Sequence, residues 1–556
     1  MRRFAPIAAL AAALLAGRAA PAPALTIRAQ EAAVRTQGGA QKEAWNLWSN
    51  GEVGDYVKFE KAGAYEVVVR AFGSPAGGVW PQVSLRLDGT VVASVRVDRP
   101  EAADYPFKVE AERGTRLVTV SFDNDAVIGQ EDRNLYLLAL EVRATGDLPA
   151  PLPGDRKEVD MAAAKREDEV VGATAAAIEK NRKADAVVRV VGPDGRPVAG
   201  AAVAAELVRH DFLFGCNIYM FDRFGKAEQN AAYQKRFEDL FNYATVGFYW
   251  RAYEPERGKP DYAYTDKVVA WCLERGIRMK GHPLLWGCEY GIPPWSQGQP
   301  PPEVQKQRVF DILRRYGGKI TFWEVVNEPS HLPNLPIDQP YRWAREAGPK
   351  AYLIVNDYYV MADGQPAFFE MLRKAEADGV PFDGIGIQAH EPRTERFPLD
   401  RVRRILDRYA ALGKDLHITE FTPCSGGEPI TGSHLHGKWD EAAQADYAAK
   451  FYRVCFAHPA VAGITWWDLC DTGSWLKGGG MLRADLSPKP VYEALRKLIH
   501  DEWHTRAEGR TDAAGAMRLR GFRGTYRVTA ERDGRKAEAT IHLKGEGPNE
   551  ATVRLP

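Results

Sequence analysis

The sequence predicts an α/β chain, a single (β/α)8 TIM barrel over residues 208–500 flanked by small all-β sandwich or jelly-roll modules. Three observations predict it. Between 208 and 500, short apolar runs alternate with helical patterns, which is the mark of repeated βα units. Eight such runs can be counted, over close to the roughly 250 residues typical of the closed barrel. No GxGxxG turn or P-loop argues for an open, doubly wound nucleotide fold.

Taken in chain order, the first segment is Arg2 and Arg3, an apolar run over 5–17, and the small-residue site Ala22-Pro23-Ala24. This reads as a cleaved signal peptide, residues 1–24, and predicts a secreted or periplasmic protein. The run is shorter than the roughly 20 residues that span a bilayer, so no membrane partner is expected after cleavage. Residues 25–144 hold alternating runs at 65–69, 83–87, 117–122 and 135–142, as in a small antiparallel sandwich of the kind that binds carbohydrate. Residues 145–184 begin rich in Pro and Gly and become rich in Ala and charge, which predicts a linker leading into one exposed helix. A hairpin at 185–207 precedes the barrel, whose strands are predicted at 212–218, 244–249, 278–285, 322–327, 352–355, 384–388, 416–420 and 463–468. Residues 501–556 return to β texture. Segments 187–203 and 511–529 resemble the front and back halves of one carboxypeptidase-regulatory-like sandwich. Neither half has strands enough to bury a core, so the barrel is expected to be inserted into that sandwich.

Composition narrows the partner. The 74 Lys and Arg balance 74 Asp and Glu, and such a surface has no long-range field to gather nucleic acid or anionic membrane. An uncharged partner fits better, and 14 Trp and 22 Tyr supply rings for cores and for stacking on pyranose faces. Six scattered cysteines read as small core residues of a large domain rather than as a disulfide framework, and a monomer is expected.

In this barrel type the chemistry sits at the C-terminal ends of the strands, so polar residues that end apolar strands are the candidates. They are His282 and Trp286 on strand three, Asn327 and Glu328 on strand four, Gln388 and His390 on strand six, Glu420 on strand seven, and Trp467 and Trp475 after strand eight. Singly, each is more simply a helix cap or a satisfied core residue. Together, two Glu nearly opposite across the mouth are the carboxyl pair that glycosidic cleavage requires, with amides, imidazoles and indoles to hold a sugar. No GxSxG elbow or HExxH zinc helix competes.

These motifs resemble glycoside hydrolase family 10, the endo-β-1,4-xylanase family. FWEVVNEP (322–329) is similar to its acid/base strand and LHITEF (416–421) to its nucleophile strand. KGHPLLW (280–286), GIGIQAH (384–390), ITWWDLCDTGSW (464–475) and LSPKPVYEAL (486–495) resemble its third, sixth and eighth strands and closing helix. The resemblance implies a retaining hydrolase of β-1,4-xylan or a related β-linked plant polysaccharide. Glu420 is then nucleophile and Glu328 acid/base, Asn327 bonds the sugar 2-hydroxyl, His390 bonds the nucleophile, and Trp467 and Trp475 form subsites. Glu328 is expected protonated and Glu420 held ionised by Asn, Gln or His donors, with no cofactor for catalysis. One departure stands out. Where the family carries Glu-Asn-x-x-Lys before a tryptophan, this chain reads TVGFYWRAYEP (245–255), and Gly287 follows Trp286 where many relatives have His. Two other readings are a non-catalytic glycan-binding protein and the same mechanism on a different β-glycan.

The front module carries VSFDNDAVIGQEDRNLYL (120–137), similar to a stretch of calcium-dependent xylan-binding modules of families 36 and 60. By residues alone it is equally a polar turn between two strands. The resemblance implies a Ca2+ site with Asp125 and Asp132 as ligands and Asn124 as a helper.

Overall fold

The structure, a computed structural model, describes residues 24–332, 334–363, 366–390 and 393–556. The predicted leader lies almost entirely outside them. The chain divides into two compact units between Val159 and Asp160. Among the described residues no helix is long and apolar enough to cross a membrane.

The first unit is two antiparallel sheets face to face. One is built around Gly63–Ser74 and Asn134–Ala144, paired with Leu140 opposite Val69. The other is built around Gly51–Phe59 and Gly114–Phe122, paired with Val120 opposite Val53. Because side chains alternate along a strand, every second residue points inward. Val53, Val57, Val67, Val69, Val118, Val120 and Leu140 thus form one dry core.

The second unit holds the barrel. Its strands are β1 (Leu213–Asn217), β2 (Tyr243–Gly247), β3 (Arg278–His282), β4 (Phe322–Asn327), β5 (Tyr352–Asp357), β6 (Gly384–Ile387), β7 (Asp415–Phe421) and β8 (Val461–Trp466). All neighbours are parallel, β1 pairs with β8 at Leu213 opposite Gly463, and β3 pairs with β4 at Lys280 opposite Phe322, which closes the ring. Both faces of each strand are covered, hence the continuous apolar runs rather than alternation. Gly281 shows how tightly the interior is filled, for a Cβ there would lie 2.3 Å from the Trp323 ring. The surrounding helices bury one stripe each. Leu399–Ala410 turns Leu399, Val402, Ile405, Leu406 and Tyr409 inward at the spacing of successive turns.

A second sandwich is made from both sides of the barrel. Lys183–Val191 pairs with Ala516–Phe522 and Glu550–Arg554. Ala202–His210 pairs with Arg506–Arg510 and Gly524–Arg532, and the latter with Arg535–Leu543. The barrel sequence therefore interrupts this sandwich between His210 and Arg506.

The segment read as one exposed helix is instead two helices, Arg156–Gly172 and Thr174–Arg182, and it is tied down. Glu167 is buried and meets the buried Arg396 guanidinium with both oxygens, at 2.5 and 2.8 Å, and Lys450 at 3.1 Å. Burial alone would raise the Glu167 carboxyl, but these two cations outweigh it and hold it at about 2. Arg182 donates to the carbonyls of Phe456 and His458, where the helix Glu441–Ala457 ends, and of Val461, where β8 begins. Only a few residues of the segment are buried, so its pattern gave no apolar stripe to detect.

Removing one partner of a buried ion pair strands the other. Glu167→Ala is expected to destabilise the second unit by about 3–5 kcal/mol, and Glu167→Gln, which keeps a hydrogen-bonding group, by less. Chemical denaturation of the full chain measures both.

Candidate active site

Strand ends deliver the side chains, and three do so through backbone that residues other than glycine seldom adopt. Glu328, one residue past β4, has φ 55°, Ala389, between Gln388 and His390, has φ 63°, and Asp468, just after Trp467, has φ 72°. Such left-handed positions cost on the order of 1–3 kcal/mol each and turn the chain sharply at the barrel rim. They aim side chains that a continuing strand would direct elsewhere.

The barrel brings Glu328 and Glu420 to one buried site and holds each with its own set of polar side chains. Glu328 accepts from Trp286 Nε1 on one oxygen and Gln388 Nε2 on the other, both at 2.9 Å. Gln388 Oε1 in turn accepts from His390 Nε2 at 2.8 Å, and that same nitrogen lies 3.6 Å from Glu420 Oε2. Glu420 Oε1 accepts from Asn356 Nδ2 at 3.0 Å. Asn356 also donates to Asn327 Oδ1 at 2.9 Å and accepts from Thr419 Oγ1 at 2.5 Å. With its oxygen thus held, Asn327 has its Nδ2 donor left for a ligand.

Two expectations are corrected here. His390 does not hydrogen-bond Glu420, because its one Nε2 proton is committed to Gln388 and 3.6 Å is too long. Burial pushes the His390 imidazole down to about 3, so it is neutral. Nor do donors alone set the charge of Glu420. Burial pushes its carboxyl well above the ordinary range, Glu324 and Glu328 push the same way, and Lys280 and the Asn356 amide oppose. Burial also raises Glu328, to about 7, against the Gln388 and Trp286 donors and with help from the Asp357 anion. Two such carboxyls titrate together. The Glu324 anion raises Glu420 more than the Lys280 cation lowers it, and the Asp357 anion raises Glu328, so both carboxyls bind a proton more tightly than a free glutamate.

His282 belongs to the same cluster as Glu420. It is buried, with Nδ1 on Glu324, whose other carboxyl oxygen meets Lys280 Nζ. Burial would raise Glu324, but Lys280 and His282 hold it at about 2. His282, Glu324 and Glu420 put ligand-type atoms within 4.8 Å of one another. Lys280 is already the cation of that cluster.

Rings close the site. Trp467 is buried, edge-on to His282 at 5.3 Å and to Tyr219 at 5.4 Å. Trp475 is 45% exposed, with its ring 5.1 Å from His390 and Arg393 stacked on it at 4.3 Å. Its loop is held by Asp468, which accepts from the Trp475 amide at 3.2 Å and from Asn217 at 2.9 Å. Where the family motif departs, Tyr249 packs against His282 at 5.5 Å and Trp286 at 5.9 Å. Gly287 has no room for a side chain, since a Cβ would sit 2.9 Å from Leu332.

Sequence reasoning missed Asn356, Lys280 and Glu324. The rule that found the others would have found Asn356 had the fifth strand been extended past Val355 to its polar end. Lys280 and Glu324 carried a different signal, charge inside apolar strands.

In the first unit, Asp125 and Asp132 are close enough for the second anion to raise the first, whose carboxyl reaches about 6, chiefly through burial. Asp125 Oδ1 is buried without a hydrogen-bond partner, and so is Asn134 Oδ1, while Asn134 Nδ2 holds Asp132 Oδ2 at 2.9 Å. Buried, unpaired carboxylate and amide oxygens suit a hard divalent cation such as Ca2+. Asn124 does not fit that role, because its side chain is committed to Gln82 N and Trp80 O.

Comparison with known proteins agrees with this arrangement. Residues 204–498 match the family described as Glycosyl hydrolase family 10, and residues 66–151 match one described as a Ca-dependent carbohydrate-binding module, xylan-binding. The chain is 30% identical over 400 residues to the anti-sigma-I factor RsgI6 of Acetivibrio thermocellus, covering 68% of this chain and 49% of that protein. It is 27% identical over 398 residues to endo-1,4-beta-xylanase 2 of Arabidopsis thaliana, covering 67% and 35%. To endo-1,4-beta-xylanase B of Thermotoga neapolitana it is 30% identical over 295 residues, covering 47% and 82%. The chain thus spans half or less of the first two relatives and most of the third.

Proposed function

The chain belongs to glycosyl hydrolase family 10, and from that premise we propose that it is a retaining endo-β-1,4-xylanase with Glu420 as nucleophile and Glu328 as acid/base. The observation that carries this reading is the pair of carboxyls buried at one site, Glu328 held by Gln388 and Trp286 and Glu420 by Asn356. A retaining mechanism needs one carboxyl ionised and one protonated, about 5 to 5.5 Å apart. Glu420, beside Lys280, attacks the anomeric carbon, and Glu328 gives its proton to the leaving oxygen. Once Glu420 is esterified its negative charge is gone, Glu328 holds a proton less tightly, and it takes one from the water that releases the sugar. Asn327 Nδ2 is the donor for the 2-hydroxyl, and Trp467 and Trp475 bound the sugar faces. Neither step calls on a metal.

The front module, in this reading, binds xylan with the help of Ca2+ held by Asp125 and Asp132, with the orphaned Asn134 oxygen as a further donor. The ion would neutralise two carboxylates that otherwise repel and offer open positions to sugar hydroxyls. The protein works as an exported monomer, since a polymeric substrate stays outside the cell and one chain supplies every group used.

Glu420→Ala is expected to abolish release of sugar from xylan and from an aryl β-xyloside. Glu328→Ala is expected to lose at least a hundredfold on xylan yet retain cleavage of an aryl xyloside whose leaving group needs no proton. Because Glu328 is raised to about 7, the parent's activity on xylan should fall as pH rises through about 7, where the acid form is lost. Equal, negligible activity of parent and both variants on every β-glycan tried would leave a binding protein as the answer. For the module, chelation should lower the melting temperature of the full chain and its affinity for xylan, and Asp125→Asn should remove both responses to added Ca2+.

A further inference from the structure

The proposed mechanism leaves unused a pocket of about 320 Å3 beside the carboxyl pair, set between the ends of β1 and β2 and the helix Tyr262–Glu274. Tyr219 and Tyr249 belong to both places. They line the pocket, and their rings also pack on Trp467 at 5.4 Å and on His282 and Trp286 at 5.5 and 5.9 Å. Gly247 lets them close over the strand end, since a Cβ there would lie 3.2 Å from the Tyr219 ring and 3.5 Å from that of Tyr249. The wall is fixed from behind. Tyr264, also lining the pocket, donates its hydroxyl to the carbonyls of Tyr219 and Phe221 at 3.2 and 3.0 Å, and Arg223 lies over its ring at 4.3 Å. A pocket built this way exists before ligand arrives, so little ordering opposes binding.

Its chemistry selects the occupant. Val246 and Val268 are buried apolar lining, tyrosine hydroxyls supply polar atoms, and charge enters with Asp261 and Arg223, which are exposed. A bare pyranose would bring hydroxyls on every side to a largely apolar wall, and each one left unpaired costs about 1–3 kcal/mol. An ester substituent has an apolar body and one carbonyl acceptor, which a tyrosine hydroxyl can meet. We propose that this pocket receives an O-acyl substituent, such as acetyl, of a sugar bound beside the carboxyl pair, so that the enzyme prefers acylated over bare glycan. The inference rests on the glycosidase reading and adds a substrate class to it.

The test uses the full chain carrying Glu420→Ala, so that ligand is not consumed, with the pocket either intact or blocked by Ala252→Phe. Ala252 lines the pocket and is exposed, so the larger ring needs no core rearrangement. Calorimetry compares an O-acetylated xylo-oligosaccharide with the same oligosaccharide after mild alkaline deacetylation. With the pocket intact, the acetylated form should bind at least fivefold more tightly, and Ala252→Phe should bring the ratio to within twofold of one. Equal affinities with the pocket intact, no binding of either ligand, or a preference that survives Ala252→Phe would each overturn the proposal. Hydrolysis of deacetylated xylan by the parent tests the glycosidase reading separately, because the acyl pocket takes no part in it.

Discussion

Three carboxyls, those of Glu324, Glu328 and Glu420, are buried in one barrel mouth, and the rest of the structure is arranged around keeping them there. Buried anions without partners would protonate or unfold their surroundings. Here there are two remedies. Glu324 is paired with Lys280 and His282 and stays ionised. Glu328 and Glu420 are held by neutral donors, indole and amide, that fix position without fixing charge. A carboxyl paired with a cation could not exchange its proton near neutrality. One positioned by amides can.

That arrangement needs a rigid frame, which is reinforced both inside the barrel and around it. Strained backbone at Glu328, Ala389 and Asp468 persists only if the surrounding strands leave no alternative. Fully buried strands and filled ring layers supply that constraint. Outside the barrel, Arg182 caps the carbonyls at the end of Glu441–Ala457, and Glu167 neutralises Arg396. The interrupted sandwich ties the chain segments entering and leaving the barrel into one set of sheets.

How much of this was legible follows from where each residue sits. Glu328, Asn327, Gln388 and Glu420 stand at the ends of apolar strands, where the local pattern and the barrel's one functional face mark them. Asn356 stands in the same place on β5 and was missed through a boundary two residues short. Lys280 and Glu324 were hidden because their meaning is mutual, for a buried lysine in one strand explains a buried glutamate in another only when the two strands adjoin. The docked helices were hidden for the opposite reason, since of the four residues they bury only Val170 and Ile178 are apolar, too few to mark a packed face.

By itself the sequence determined the barrel, the two glutamates and the flanking β modules, because apolar periodicity and strand-end polarity are local properties written in consecutive residues. Tertiary structure alone decided which donor meets which oxygen. It gave the His390 proton to Gln388 rather than Glu420, placed Asn356 on the nucleophile, and turned a missing polar motif into two tyrosines walling a pocket. Those outcomes depend on differences of less than an ångström between groups on strands far apart in the chain, and hydrogen-bond energies change over that range while sequence patterns do not.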